Sequence, residues 1–315
     1  LIFYFEFYDI MINKEGDGGV KITYKAEKGT GVYFIIGLMF LYDAFMIFLM
    51  KFVNSFEIYN LLKLIFISLN IYQLYYIIIC STLKYFIDEN NLCIISALGF
   101  KNEKIPLQSI QMYQKSRGYI KGVKLAGYVG NKFAIGRSFI DKIGNTYMFA
   151  TSTKNVIYLK TGTVNYGLSP ENFQEFEEEL KKRKIICSRW ENKLNKNIII
   201  SKEPKFFIPF IITAVIAVVL TLNPVVMYLY GHLPDRMPVS FDTRFVAVEF
   251  GTGRQFAFKQ MFYGLLNMGI LFCMYYAGYI YSKYDKKYSY KYVYISLIVA
   301  VFYFIMQIKI FCTFR

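Results

Sequence analysis

The sequence predicts a multi-pass α-helical membrane protein with a small β-barrel domain inserted between its spans and capped by a C-terminal helix. Three observations predict it. Hydrophobic residues fill 55% of the 315 positions and aromatic residues 19%, too many for one soluble globule with an ordinary surface. They gather in five long blocks, each near the roughly 20 residues that a helix needs to cross a hydrocarbon layer. Between the second and third blocks, over residues 84–184, apolar residues come in short runs broken by Gly, Asn and Asp, as half-buried strands require.

Residues 1–10 lack an initiator methionine and are too short and too acidic for a secretory signal. Met11 is read as the start, with 1–10 upstream of it; a fragment whose beginning is missing is the alternative. Residues 1–30 then form an N-terminal cytoplasmic segment. Residues 32–52 and 61–83 read as two spans joined by Asn54-Ser55-Phe56-Glu57, a transmembrane hairpin over 31–83. Asp43 falls inside the first span, where an ionised carboxylate costs at least about 2.5–3.5 kcal/mol. It is either a proton or ion relay or a protonated, hydrogen-bonded helix contact, with Asn70 or Gln73 as candidate partner.

In the central stretch, strands are expected at 86–87 and 92–95 as a hairpin, then at 105–112, 133–135, 147–150, 156–160 and 166–168. Ser169 and Pro170 read as a helix cap and first helical residue. Phe173, Phe176 and Leu180 then share one face and would plug an open end of the barrel. Pairs four apart, Glu177 with Lys181, Glu178 with Lys182 and Glu179 with Arg183, support this helix. The run Lys181, Lys182, Arg183 and Lys184 could bind anionic lipid headgroups at about 1 kcal/mol per charge; the plainer reading is a solvated helix end. The segments Tyr85-Phe86-Ile87-Asp88, Lys104-Ile105-Pro106-Leu107, Gly127-Tyr128-Val129-Gly130, Tyr147-Met148-Phe149-Ala150 and Ser169-Pro170-Glu171-Asn172, in this order, resemble the bacterial pleckstrin-homology (PH) domains of Firmicute membrane proteins. The resemblance implies a bent barrel with a C-terminal helix over 84–184, and it implies no activity.

Residues 185–205 form a basic interfacial linker, with Trp190 read as a membrane-surface anchor. Three spans follow at 206–230, 260–281 and 292–311, the first kinked by Pro224, with Asn267 and Gln307 available to link helices. Lysines precede the first and third spans and separate the fourth from the fifth, which places the barrel in the cytoplasm and the 231–259 loop outside. That loop is itself fairly basic, through Arg236, Arg244, Arg254 and Lys259. It contains Leu233-Pro234-Asp235-Arg236-Met237-Pro238, and with the later Lys259 it resembles a small membrane domain also found in immunity proteins of the sporulation-delaying-protein system. Ser240 stands where that motif usually has histidine. Leu233, Pro234, Asp235, Arg236 and Pro238 are therefore the candidate ligand site, for an extracellular peptide; the plainer reading is a cap fixing how two spans meet. Asp235 and Arg236 can pair locally.

Chemistry is otherwise sparse. The five cysteines show no metal-ligand spacing and His232 is the single histidine, so no metal site or catalytic triad is expected. No cofactor is expected either. Gly29-Thr30-Gly31 and Gly251-Thr252-Gly253 are too short for nucleotide fingerprints. The net charge of +15 is spread over all the polar segments, which speaks for a positive-inside bias and against nucleic acid. The expectation is a non-enzymatic cell-membrane protein, with the bilayer and a cytoplasmic protein as partners, in signalling or peptide-toxin immunity. The alternatives are an ion- or proton-coupled transporter using Asp43 and a structural scaffold.

Overall fold

The computed structural model describes residues 22–96, 99, 101–192 and 200–314. These divide into two compact units, one built from residues up to 42 and 69–193, the other from 43–68 and 194 onward.

β1 (Ile22–Lys25) leads into α1 (Gly31–Phe52) and α2 (Phe56–Thr82), of which residues 43–52 and 56–68 belong to the second unit and the rest to the first, and then into β2 (Lys84–Ile87), β3 (Asn91–Ser96) and β4 (Lys101–Pro106) of the first unit. These four strands form an antiparallel sheet in the order β1-β2-β3-β4. β1 lies in the segment read as a plain cytoplasmic lead, and it pairs Lys25 with Lys84. The helix pair is therefore an insertion between two neighbouring strands of one sheet.

The single strand expected at 105–112 is two strands in different sheets. Pro106 has no N–H to give a ladder, Leu107–Ser109 form a 3₁₀ turn, and the Leu107 amide goes to Asn90 O at 2.8 Å. After it come β5 (Ile110–Ser116), β6 (Gly122–Val129), β7 (Ala134–Ile140), β8 (Gly144–Ala150), β9 (Val156–Thr161), β10 (Asn165–Leu168), helix α3 (Phe173–Lys182) and the short β11 (Ile186–Cys187). The second sheet runs β11-β5-β9-β10-β8-β7-β6. Among the described residues no ladder closes the two sheets into a ring, so the expected barrel is corrected to two sheets around a shared core. Tyr85, Ile87, Leu92 and Ile94 of the first meet Tyr113, Ile157 and Leu159 of the second, and Phe176 and Leu180 of α3 enter the same cluster.

Helix α3 starts later than Ser169 and Pro170 suggested. Ser169 is fully buried, its Oγ accepting the Thr151 amide at 3.0 Å, and Pro170 forms a bridge with Ala26. The expected shared face of α3 is buried, Phe176 and Leu180 in the core between the sheets and Phe173 packed against it, with no barrel end for it to plug. Trp190 is also placed differently from the expected surface anchor: it packs among Ile143, Met148 and Tyr158 and its indole N–H donates to Ile143 O at 3.3 Å.

The second unit contains α4 (Pro204–Leu229), β12 (Met237–Phe241), β13 (Ala247–Gly251), α5 (Gly253–Ser282) and α6 (Lys286–Phe314). Pro224 removes the N–H that the Leu220 carbonyl would accept. Gln307 of α6 fills the place, Nε2 donating to Leu220 O at 3.1 Å. All five helices, α1, α2, α4, α5 and α6, are long and apolar enough to cross a membrane.

Candidate functional site

Of the expected loop 231–259, residues 237–251 form the β12–β13 hairpin of the second unit, and 253–259 already belong to α5. Gly231, with φ 69°, ends α4, and the chain turns through half-buried Leu233 and Pro234. Gly253 makes their seat, since a Cβ there would lie 3.2 Å from Leu233 Cβ and from Pro234 O. Gly251-Thr252-Gly253 is thus a helix start: Gln255 N donates to Thr252 Oγ1 at 3.3 Å and Thr252 N to Gln255 Oε1 at 2.9 Å, a reciprocal cap. Pro238 is buried in β12 opposite Phe250. Asp235 and Arg236 are exposed, and the Arg236 guanidinium, expected beside Asp235, lies 4.7 Å from the centre of the Phe250 ring. Ser240 donates to Glu249 at 3.3 Å.

The hairpin tip is strained. Phe245 has φ 66°, which costs a bulky residue about 1–3 kcal/mol. Asp242 holds the turn, its Oδ1 accepting the Arg244 and Val246 amides, both at 2.8 Å. The strain aims the Phe245 ring. It stacks on Phe241 at 4.5 Å, meets Phe56 edge-on at 4.8 Å and has the Lys309 ammonium 4.1 Å from its centre. Beside Phe56, Glu57 is only 2% exposed, accepting from Tyr263 OH at 3.2 Å and from Ser55 Oγ. Lys259 Nζ donates to Val239 O. The link between α1 and α2, the hairpin, α5 and α6 are thereby tied at one end. Sequence reasoning treated Glu57 only as part of a polar link and passed over Phe245, whose backbone strain leaves no mark in residue type.

In the first unit, the helix pair seats directly on β6 and β7. Ile35, Tyr76, Ile79 and Cys80 form one cluster with Tyr128, Phe133 and Ile135. Tyr72 OH accepts the Gly127 amide at 2.8 Å and faces Gly127 O at 3.4 Å, covering an edge strand's open hydrogen-bonding groups as a neighbouring strand would. Gly127 (φ 88°) and Gly136 (φ 120°) face each other across the β6–β7 ladder; a Cβ on Gly127 would lie 2.1 Å from Ile135 O. The Tyr128 ring lies 5.6 Å from Tyr76 and 5.9 Å from Tyr72, with Lys124 Nζ 5.0 Å from its centre. Burial raises the Tyr128 pKa and lowers that of Lys124, so both favour their neutral forms more than in water. Tyr72 and Tyr76, four apart on an apolar helix, were the available sequence signal for this seam.

Of the other singled-out residues, Gln73 joins the seam, and Asp43 and the basic run lie apart from both places. Asp43 is half-buried in α1, and Gln73 is buried beside Tyr128. In the basic run, Lys181 pairs with Glu177 at 3.0 Å, Lys182 with Glu179 at 3.6 Å and Arg183 with Glu179 at 3.1 Å. Lys184 is exposed with φ 60° just past the helix end. Glu177 also accepts from Tyr113 OH and Lys115 at 3.0 Å. Burial works against its charge, but the bonds from Lys181, Lys115 and Tyr113 outweigh it and lower its pKa. Among the described residues no three His, Cys, Asp or Glu side chains gather to hold a metal.

Residues 83–184 match the bacterial PH domain family. Over 290 residues the chain is 40% identical to an uncharacterised protein of Clostridium acetobutylicum, an alignment covering 92% of this chain and 98% of that protein. No solved structure matches. At that identity and coverage, the chain belongs to the same family as the Clostridium acetobutylicum protein, with a bacterial PH domain set among its long apolar helices.

Proposed function

We propose that the protein spans a bacterial membrane five times, holds its PH domain in the cytoplasm, and works without catalysis by coupling that domain to its membrane part. The observation that carries this reading is the seam of Tyr72, Tyr76 and Ile35 with Gly127, Tyr128 and Phe133. A tethered spacer would not need its helices inserted between two neighbouring strands of one sheet and hydrogen-bonded to the edge strand of the other. With this seam, a shift of α2 along its axis moves the Gly127 edge of the domain. The lysine distribution supports the orientation.

In this reading the PH domain meets a cytoplasmic protein, and the exposed Asp235 and Arg236 beside seated Leu233, Pro234 and Pro238 meet an extracellular peptide, in signalling or immunity. The immunity version rests on the sequence resemblance of 230–259. Cross-linking capture from native membranes tests the module: a partner found with the intact chain and lost when 84–184 is removed supports it, and identical partner sets overturn it. Replacing Leu233, Pro234 and Asp235 by alanine lowers resistance to an external peptide if the immunity version holds; unchanged resistance across a peptide panel removes it.

A further inference from the structure

We propose that an aromatic groove between the start of α4 and the end of α5 holds an acyl chain of an anionic phospholipid, with Lys202, Lys205 and Lys283 around its headgroup. This rests on the five-span reading above.

The groove has a volume of about 360 Å³ and is lined by Phe206, Phe207, Phe210, Phe272, Tyr275 and Tyr276. Its floor is fixed. Phe206 is 1% exposed, its ring 5.6 Å from Tyr275, and Phe210 lies 5.3 Å from the same ring. Phe206 fits because position 278 is glycine: a Cβ there would lie 2.8 Å from Phe206 Cε2. The rim is open, with Phe207, Phe272 and Tyr276 all exposed. In a bilayer such a rim faces lipid tails, so the occupant is apolar where it touches the rings.

An apolar groove in lipid has no hydrophobic preference for one lipid over another, because the tails are as apolar as the rings. Selectivity must come from the headgroup end. The antiparallel packing of α4 and α5 brings the start of one to the end of the other, and both carry cations there. Lys202, Lys205 and Lys283 are exposed, and Lys283 Nζ reaches back to 5.4 Å from the Tyr279 ring, one turn beyond Tyr276. The acids at this end are engaged elsewhere. Glu203 pairs with Lys286 and accepts from Tyr290 OH at 3.5 Å, and buried Asp285 accepts the Lys287 amide at 2.8 Å. A positive collar over an aromatic slot selects a negatively charged headgroup with an attached chain.

The test uses the full-length protein in vesicles, with Tyr276→Trp at the groove rim, Leu265→Trp on the open mid-face of α5 as control, and the parent protein as blank for Trp190. Brominated phosphatidylglycerol and brominated phosphatidylcholine are compared as quenchers. The expected result is preferential quenching of the groove tryptophan by phosphatidylglycerol, about fivefold per contributing lysine, with no preference at the control. That preference collapses in Lys205→Gln/Lys283→Gln. Equal quenching by both lipids at the groove overturns the proposal and leaves the membrane reading intact. Quenching of the control alone also overturns it, since protein then covers the groove, as in a second copy of the chain. Quenching of neither tryptophan overturns the five-span reading and the groove with it.

Discussion

At the scale of single residues, the informative positions are those where a side chain replaces a missing backbone partner. Tyr72 does so at Gly127 and Gln307 does so at Leu220. Tyr72→Phe leaves the Gly127 amide without its acceptor, a loss of about 1–3 kcal/mol for a buried group; hydrogen exchange should show faster exchange at Gly127 with Ile35 and Phe133 still packed. Glu177 supplies the pH dependence. Its folded pKa lies below the ordinary glutamate value of 4.5, so its stabilisation is present above that value and is lost as pH falls through the lower, folded one. Glu177→Gln should flatten this acid limb of the domain's unfolding curve and cost about 1 kcal/mol near neutral pH, since Lys115 and Lys181 are half exposed. Equal acid sensitivity in variant and parent would refute this assignment. Gln307 and Pro224 were both legible as polar and kinking residues; that one answers the other depends on helix packing, which one sequence does not contain.

At the scale of elements, strand pattern located most of the PH domain but expected no strand at β6 (Gly122–Val129), whose apolar run is broken by Lys124 and Gly127; three other departures have a local cause. The strand expected over 105–112 split because Pro106 ends one ladder. The helix expected from Ser169 moved to Phe173 because the buried Ser169 hydroxyl accepts the two successive amides, Thr151 and Ser152, just past the end of β8. β1 was missed because four residues ahead of an apolar block carry too short a pattern to stand out. Its membership can be tested: Tyr24 is 5% exposed and its ring lies 5.1 Å from Phe176. Tyr24→Ala should destabilise the domain by about 3 kcal/mol, as for other large aromatic truncations; a change under about 0.5 kcal/mol by denaturant unfolding would mean that β1 is dispensable. In the hairpin, the prolines pointed to a rigid loop, while the strained Phe245 that aims the tip was invisible in the sequence.

At the scale of the whole molecule, five apolar helices and a bacterial PH domain were legible from composition and motif order. The sheets' failure to close was not, because strand pattern counts strands without saying which edges meet. The proposed topology makes a direct prediction. An impermeant maleimide should label Asp235→Cys in intact cells but reach exposed Cys187 only after lysis; labelling of Cys187 first would invert the arrangement. One feature also sets the order of synthesis. β1 leaves the ribosome roughly 60 residues before its partner β2, about 3–12 s earlier at ordinary elongation rates. The strand must wait unpaired while α1 and α2 are made, and in the proposed topology a helix pair inserted wrongly would leave Lys25 and Lys84 on opposite sides of the membrane, unable to pair. Completion of the sheet would therefore report correct insertion, and a chain that failed it would display a naked β2 edge to the quality-control proteases.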